Sequence, residues 1–356
     1  MTNVLSLAVA GGRKTQGIID HCANLPKERN AIIVTFTQSN QAELNERLSQ
    51  YVGDRPDILA LGWYTFLIRD FARPFIPYKF PGRRVKGFNF EGRPYRMAKG
   101  GRRFLDSNDC LYACELSRLA NELVADSYGT LSHRLECIYD EILIDEVQDL
   151  SGHDWSLLDF LFNTSIDVKM VGDIRQSVLS TNPRSLKNKQ YKYTEAIHWF
   201  RERENKGIIQ IEENNFTWRC NKDIAEFSDT IFDSSWQFPK TKSKNYDETE
   251  HDGVYIVREK NANAYVKCFQ PQCLRNSVSS GKKFEFDFMN FKVAKGRTFN
   301  RVLIAPTESI KKFIRDGIYL EPKPAASFYV AVTRAKQSVA IIVPNKGDFR
   351  LPEWEP

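Results

Sequence analysis

The sequence predicts an α/β protein of two parallel-sheet domains, and three observations point there. Its 356 residues exceed what one compact core organises and suit two domains of ordinary size. Short apolar runs without alternation recur along the chain, separated by polar or helix-forming sequence; such runs mark strands buried on both faces of a parallel sheet. A glycine-rich turn that opens a helix follows the first of these runs.

In chain order, strands are expected at 4–10, 31–36, 57–61, 141–145 and 168–172, which fill a first domain over residues 1–185. The habit returns at 253–257, 301–305 and 339–343 in a second domain over 186–356. The junction is placed near 182–190, where Asn182, Pro183 and Arg184 interrupt the pattern. A polar stretch at 240–252 reads as a surface loop, inside a short insertion at about 237–285.

Composition narrows the class. With 42% hydrophobic and 27% charged residues the chain is globular rather than disordered. A net charge of +6 leans towards a polyanionic partner. No window approaches the roughly 18 apolar residues of a membrane span, and the first apolar run lacks the basic start and cleavage site of a signal peptide. A cytoplasmic protein with no membrane partner is expected. The seven cysteines are scattered without CxxC spacing or a nearby histidine, which fits reduced thiols rather than disulfides or zinc.

A basic insertion at about 72–130 stands apart within the first domain. Its segment 75–103 holds nine Lys or Arg, among them Arg83, Arg84 and Lys86, against the single acid Glu91. Tyr78, Phe80, Phe88, Phe90 and Tyr95 are interleaved, and glycines and prolines break every helical period up to a helix expected near Ser107 or Asn108. Cations mixed with aromatics suit a nucleic-acid strand, charge holding phosphates and rings stacking on bases; a solvated surface loop fits the same composition.

Two short segments carry chemistry. Gly11-Gly12-Arg13-Lys14-Thr15 ends the first strand and opens a helix. Such a turn presents backbone N–H groups and a helix dipole to phosphate, with Lys14 reaching the terminal phosphates of ATP and Thr15 holding Mg²⁺; an ordinary strand-to-helix turn is the alternative. Asp145-Glu146-Val147-Gln148-Asp149 follows the apolar run Ile142-Leu143-Ile144. A buried strand there delivers Asp145 to the carboxyl edge as a Mg²⁺ carboxylate, beside Glu146 to activate water; two acids at a helix N-terminus is the other reading.

These and later motifs resemble the UvrD/Rep-like branch of superfamily 1 helicases, in the family's order over nearly the whole chain. Residues 145–149 are similar to its Walker B motif. Val171-Gly172-Asp173-Ile174-Arg175-Gln176-Ser177 is similar to the next, whose glutamine senses the γ-phosphate. Thr35-Phe36-Thr37 resembles a segment that touches single-stranded DNA, and Trp63 and Tyr64 sit where a second such segment belongs. Thr217-Trp218-Arg219-Cys220 resembles an Asn-Tyr-Arg-Ser motif, whose aromatic stacks on adenine and whose arginine reaches the γ-phosphate. Lys295-Gly296, with Phe299 and Val302, resembles the Lys-Gly-Leu-Glu-Phe-Asp segment, and Tyr329 through Thr333-Arg334-Ala335-Lys336 the last motif, whose arginine is a finger from the second domain.

The resemblance implies two RecA-like domains of P-loop NTPase type. It places Gly11, Gly12, Arg13, Lys14, Thr15, Trp218 and Gly296 at ATP, and Thr15 and Asp145 at Mg²⁺. Glu146, Gln176, Arg219 and Arg334 take catalytic roles. Single-stranded DNA, or RNA, would meet Thr35, Phe36, Thr37, Trp63, Tyr64 and the insertion. The implied activity is a nucleic-acid-stimulated ATPase, a 3′–5′ translocase or helicase in repair, recombination or defence. The alternative is an ATP-binding regulatory subunit that senses nucleotide or DNA and controls a partner nuclease.

Four departures bear on this. Arg13 stands where the family has glycine, which either distorts the loop or adds a charge to the phosphates. Leu179 and Thr181 stand where the family often carries stacking aromatics. About 70 residues separate the Trp-Arg and Lys-Gly motifs, too few for the large accessory domain (2B) of full-length relatives. The family's glutamine-bearing segment has no room ahead of the first strand, so adenine selectivity is expected to rest on Trp218.

Overall fold

The computed structural model describes residues 2–182 and 185–356, so Pro183 and Arg184 at the expected junction lie outside the described residues. The first half contributes strands β1 (Asn3–Ala8), β2 (Ala31–Thr35), β3 (Ile58–Gly62), β4 (Gly87–Asn89), β5 (Cys110–Tyr112), β6 (Glu141–Ile144), β7 (Asp167–Gly172) and β8 (Gln210–Asn214). Six of them form one sheet in the order β3-β2-β6-β7-β1-β8, with every pairing parallel. Every residue of β2 and of β6 is buried, as strands covered by helices on both faces require.

The second half contributes β9 (Phe216–Thr217), β10 (Lys242–Ser243), β11 (Gly253–Arg258), β12 (Gln272–Arg275), β13 (Phe288–Asn290), β14 (Phe299–Ala305), β15 (Ala335–Val343) and β16 (Glu353–Trp354). Its six-stranded sheet runs β13-β12-β14-β15-β11-β16, again parallel throughout. The two sheets are the pair of RecA-like α/β domains.

The boundaries differ from those expected. β8 pairs with β1, from Val4 opposite Gln210 to Ala8 opposite Asn214, so the first sheet closes at residue 214 and not at 185. The intervening helix Ala196–Asn205 belongs there too, since Trp199 packs on Trp155 with ring centroids 4.8 Å apart and Arg203 pairs with Asp159 at 2.9 Å. Nor is 237–285 an insertion: it supplies β11 and β12 to the second sheet.

The basic insertion carries regular structure, including short helices at Arg73–Lys79 and Gly101–Phe104 in the segment expected to be extended. β4 and β5 pair as a small ribbon, and the helix that follows spans Leu116–Asp126, later than expected, with Leu116, Leu119, Ala120 and Leu123 in the core. That helix is therefore core rather than appended surface. None of the helices among the described residues is long and apolar enough to cross a membrane.

The domains meet along the helix Pro322–Val332. Ala326 and Val330 pack against Val178 and Leu179 of the first domain. Tyr329 crosses the boundary with its hydroxyl, donating to Asp173 Oδ2 at 3.1 Å and accepting the Ala10 N–H at 3.3 Å.

Candidate nucleotide site between the two sheets

The carboxyl ends of β1, β6 and β7 open onto a cleft of about 810 Å³. Lys295, Gly296 and Thr298 face it from just before β14, and Arg334 from just before β15. One domain thus offers strand carboxyl ends, where α/β sheets place ligands, and the other offers strand amino ends.

The glycine-rich turn lines this cleft. Gly11 has a φ of 73°, and a Cβ there would lie 2.7 Å from both Arg219 Cβ and Thr217 Oγ1, so the turn and the 217–219 segment approach each other in a way that requires glycine. Arg13 caps the helix Lys14–Ala23 in the left-handed conformation, φ 55°, and no side chain bonds the helix N-terminus. The free N–H groups and dipole of the first turn face an anion site. Thr15 Oγ1 lies 3.5 Å from Asp145 Oδ2.

Beyond β6, Glu146 adopts φ 54° and Asp149 is buried. Lys295 of the second domain reaches both, 3.1 Å from Glu146 Oε2 and 2.8 Å from Asp149 Oδ2. Gln148 Nε2 also donates to Glu146. Burial, then Glu146, pushes the Asp145 carboxyl above its ordinary range. Burial acts on Glu146 too, but Lys295 and Lys14 outweigh it and hold Glu146 low and ionised. Burial opposes the charge on Lys295, yet Asp149 and Glu146 keep its pKa above the usual lysine value.

Asp145 and Asp149 are buried and Glu146 is half-buried beside them, with Lys14 and Lys295 close by. No three His, Cys, Asp or Glu among the described residues are grouped to hold a metal unaided. Asp145 and Thr15 with phosphate oxygens form the hard-oxygen set that Mg²⁺ takes, so the residues fit the ion and the nucleotide.

Gln176 and Arg334 meet directly: Arg334 Nη2 donates to Gln176 Oε1 at 3.0 Å, while Nε and Nη1 are held by the carbonyls of Val330 and Arg297. Burial and the neighbouring Arg219 lower Arg334 to about 9, still cationic at neutral pH. Arg219 lines the cleft and donates from Nη1 to the Thr333 carbonyl at 3.2 Å. Trp218 lines it as well, 39% exposed, with the Arg13 guanidinium 4.6 Å from its ring centroid. The cleft therefore gathers every residue expected at ATP, Mg²⁺ and catalysis. Lys295 and Asp149 belong with them; the motif containing Lys295 was visible, its pairing with Asp149 was not.

The residues expected at nucleic acid separate. Trp63 is 1% exposed and its Nε1 donates to buried Asp154 at 2.9 Å, so it cannot stack on a base; it anchors the core. Tyr64 is part-buried and donates to the Thr181 carbonyl at 2.8 Å, which ties it to the segment leading out of the first domain. Phe36 packs on Trp63, centroids 6.0 Å apart, and Thr35 is fully buried. Thr37 caps the helix Gln38–Tyr51 and lines the nucleotide cleft. Leu179 sits partly buried against the Pro322–Val332 helix. In the insertion, Arg83 is paired with Asp109 and Lys86 stands 3.9 Å from the same carboxylate, whereas Arg84 makes no ion pair among the described residues.

The UvrD/REP helicase N-terminal domain model matches residues 93–188, the span that carries Asp145, Glu146 and Gln176. A curated relative from Oenococcus oeni, the A chain of an ATP-dependent helicase/nuclease, is 29% identical over 107 residues, which is 29% of this chain and 8% of that protein. Two solved structures of Arterivirus nonstructural protein 10 (helicase), the second in complex with DNA, align with TM-scores of 0.49 and 0.47 at 16% and 15% identity. They cover 97% of this chain and 60% and 61% of theirs. The segment 93–188 is thus similar to the UvrD/REP helicase N-terminal domain, and the chain spans under a tenth of the length of the curated relative it matches.

Proposed function

We propose that the protein is a nucleic-acid-stimulated, Mg²⁺-dependent ATPase of helicase type. One observation carries the reading: the phosphate-binding turn, Asp145, Glu146 and Gln176 share one cleft with Arg219, Lys295 and Arg334 from the opposite domain. Phosphoryl transfer is mainly positioning plus compensation of charge, and arginines from a second domain supply that charge only when the cleft is closed. Mg²⁺, when bound, neutralises charge on the phosphates. Lys14 and the helix N–H groups hold the phosphates, Asp145 and Thr15 hold the ion, and Glu146 orients and deprotonates the attacking water. Arg334 and Arg219 stabilise the transferring group, and Gln176 couples that group to Arg334.

The substrate strand is single-stranded DNA or RNA, gripped by the insertion through Arg84, Arg93, Arg96, Lys99 and Arg102 and by exposed Phe90 and Tyr95, 73% and 77% accessible. The 3′–5′ direction, and a place in repair, recombination or defence, follow from the resemblance alone. ATP turnover with and without a single-stranded oligonucleotide tests the reading. Stimulation supports it, and absence of turnover at saturating Mg-ATP removes it.

A second reading, an ATP-binding subunit that controls a partner nuclease, is favoured by the burial of Trp63 and by leucine at position 179, so that neither position offers a ring to a base. Nucleotide binding without stimulated turnover distinguishes it.

A further inference from the structure

We propose that Arg13 is a specificity-determining residue that covers the nucleobase platform and weakens recognition of the base relative to the phosphates. The inference rests on the cleft being a nucleotide site. Trp218 is a partly exposed ring beside the phosphate turn, and its backbone is tied to that turn: the Trp218 backbone N–H donates to the Gly11 carbonyl at 3.1 Å, and Asn214 Nδ2 donates to the Gly12 carbonyl at 3.1 Å. A nucleotide whose phosphates sit at the helix N-terminus carries its base towards this ring.

The Arg13 guanidinium already occupies one face of the ring, 4.6 Å from its centroid. A base sandwiched between the two would need roughly 7 Å, two layers at van der Waals spacing. The base must therefore displace Arg13 from that face, and the cation–π attraction of the pair is lost as the base moves in. The backbone accounts for the guanidinium's place. Arg13 is left-handed, φ 55°, two residues after Gly11 at φ 73°, and this turn sets its side chain over Trp218 while Lys14 begins the helix. Glycine here would keep the backbone without strain and leave the ring bare.

A base-free ligand isolates the effect. Tripolyphosphate uses the same phosphate turn and never meets Trp218. The experiment measures Kd for ATP and for inorganic tripolyphosphate, both with Mg²⁺, by calorimetry on the full chain, its Arg13→Gly and Trp218→Ala variants and the double variant. Arg13→Gly removes a charge near the phosphates for both ligands, so the ratio of the two constants is the readout. We expect Kd(tripolyphosphate)/Kd(ATP) to rise about 2- to 30-fold in Arg13→Gly, and the rise to vanish when Trp218 is also Ala. An unchanged or smaller ratio, as when Arg13 serves the phosphates, overturns the proposal; so does a rise that persists without Trp218. Wild-type protein that binds neither ligand overturns the nucleotide reading and this proposal with it, whereas wild type that binds both while the ratio stays flat overturns this proposal alone.

Discussion

The cleft between the two sheets and the basic insertion are both rich in charge, and they hold it in opposite ways. In the cleft, cations are buried against specific partners: Lys295 on Glu146 and Asp149, and Arg334 on Gln176. In the insertion, Lys79, Arg83 and Arg103 are neutralised by acids outside the basic stretch, namely Glu122 and Asp126, Asp109, and Glu115. Arg84, Arg93, Arg96, Lys99 and Arg102 make no ion pair among the described residues. A buried charge is expensive unless its partner is placed, so the cleft constrains identity at each position; solvated charges cost little, so the insertion constrains composition.

If the cleft depends on identity, single substitutions there should be severe. Arg334→Ala is expected to lower turnover by about 10³–10⁵, the usual worth of an arginine finger. The first domain should keep its thermal stability, because Arg334 hangs on carbonyls of its own domain. Turnover at the wild-type rate in steady-state assays would break the comparison at its strongest point. Glu146→Gln should cost about 10²–10⁴ in turnover while nucleotide binding persists, since the amide keeps the volume and loses the base. Parallel loss of binding and turnover would assign Glu146 a structural role.

Lys295→Ala sharpens the same point through stability. It leaves buried Asp149 and half-buried Glu146 without their cation, and removing one partner of a buried pair costs about 3–5 kcal/mol. Urea titration reads this directly. A loss under about 1 kcal/mol, the scale of an exposed pair, would mean that the cleft opens freely and that water replaces Lys295.

The two regions were unequally legible in the sequence. Strands such as β2 and β6 could be read because both faces are buried and every residue but Thr35 and Glu141 is apolar. β8 escaped because it is an edge strand with Glu212 and Glu213 turned to solvent, so neither periodicity nor apolarity marks it; only its pairing with β1 does. Trp63 was misread for a related reason. An aromatic after a strand fits a stacking platform or a core anchor equally well, and Asp154, 91 positions away, decides which. The bond from Lys295 to Asp149 spans 146 positions, so their charges were visible and their meeting was not. Asp109, the partner of Arg83, lies just beyond the stretch in which the charges were counted.

That last partner turns the insertion into a test with an internal control. If the region works by solvated charge, the unpaired cations should carry nucleic-acid binding and the paired ones should not. Removing one cation from a single-strand phosphate lowers the slope of log affinity against log salt by about 0.7. Replacing Arg84, Arg93 and Arg96 together by Ala should lower that slope by roughly 2 and weaken binding of a single-stranded oligonucleotide. Folding stability should barely move, since none of the three makes an ion pair among the described residues. Replacing Lys79, Arg83 and Arg103 should do the reverse: the slope falls by less than about 1, because their charge is already spent on carboxylates, while stability drops. Fluorescence anisotropy across a salt series on both variants decides between these outcomes. Equal slopes for wild type and both variants would leave the insertion as a surface for something other than a phosphate backbone, and the exposed rings of Phe90 and Tyr95 would then belong to a protein partner.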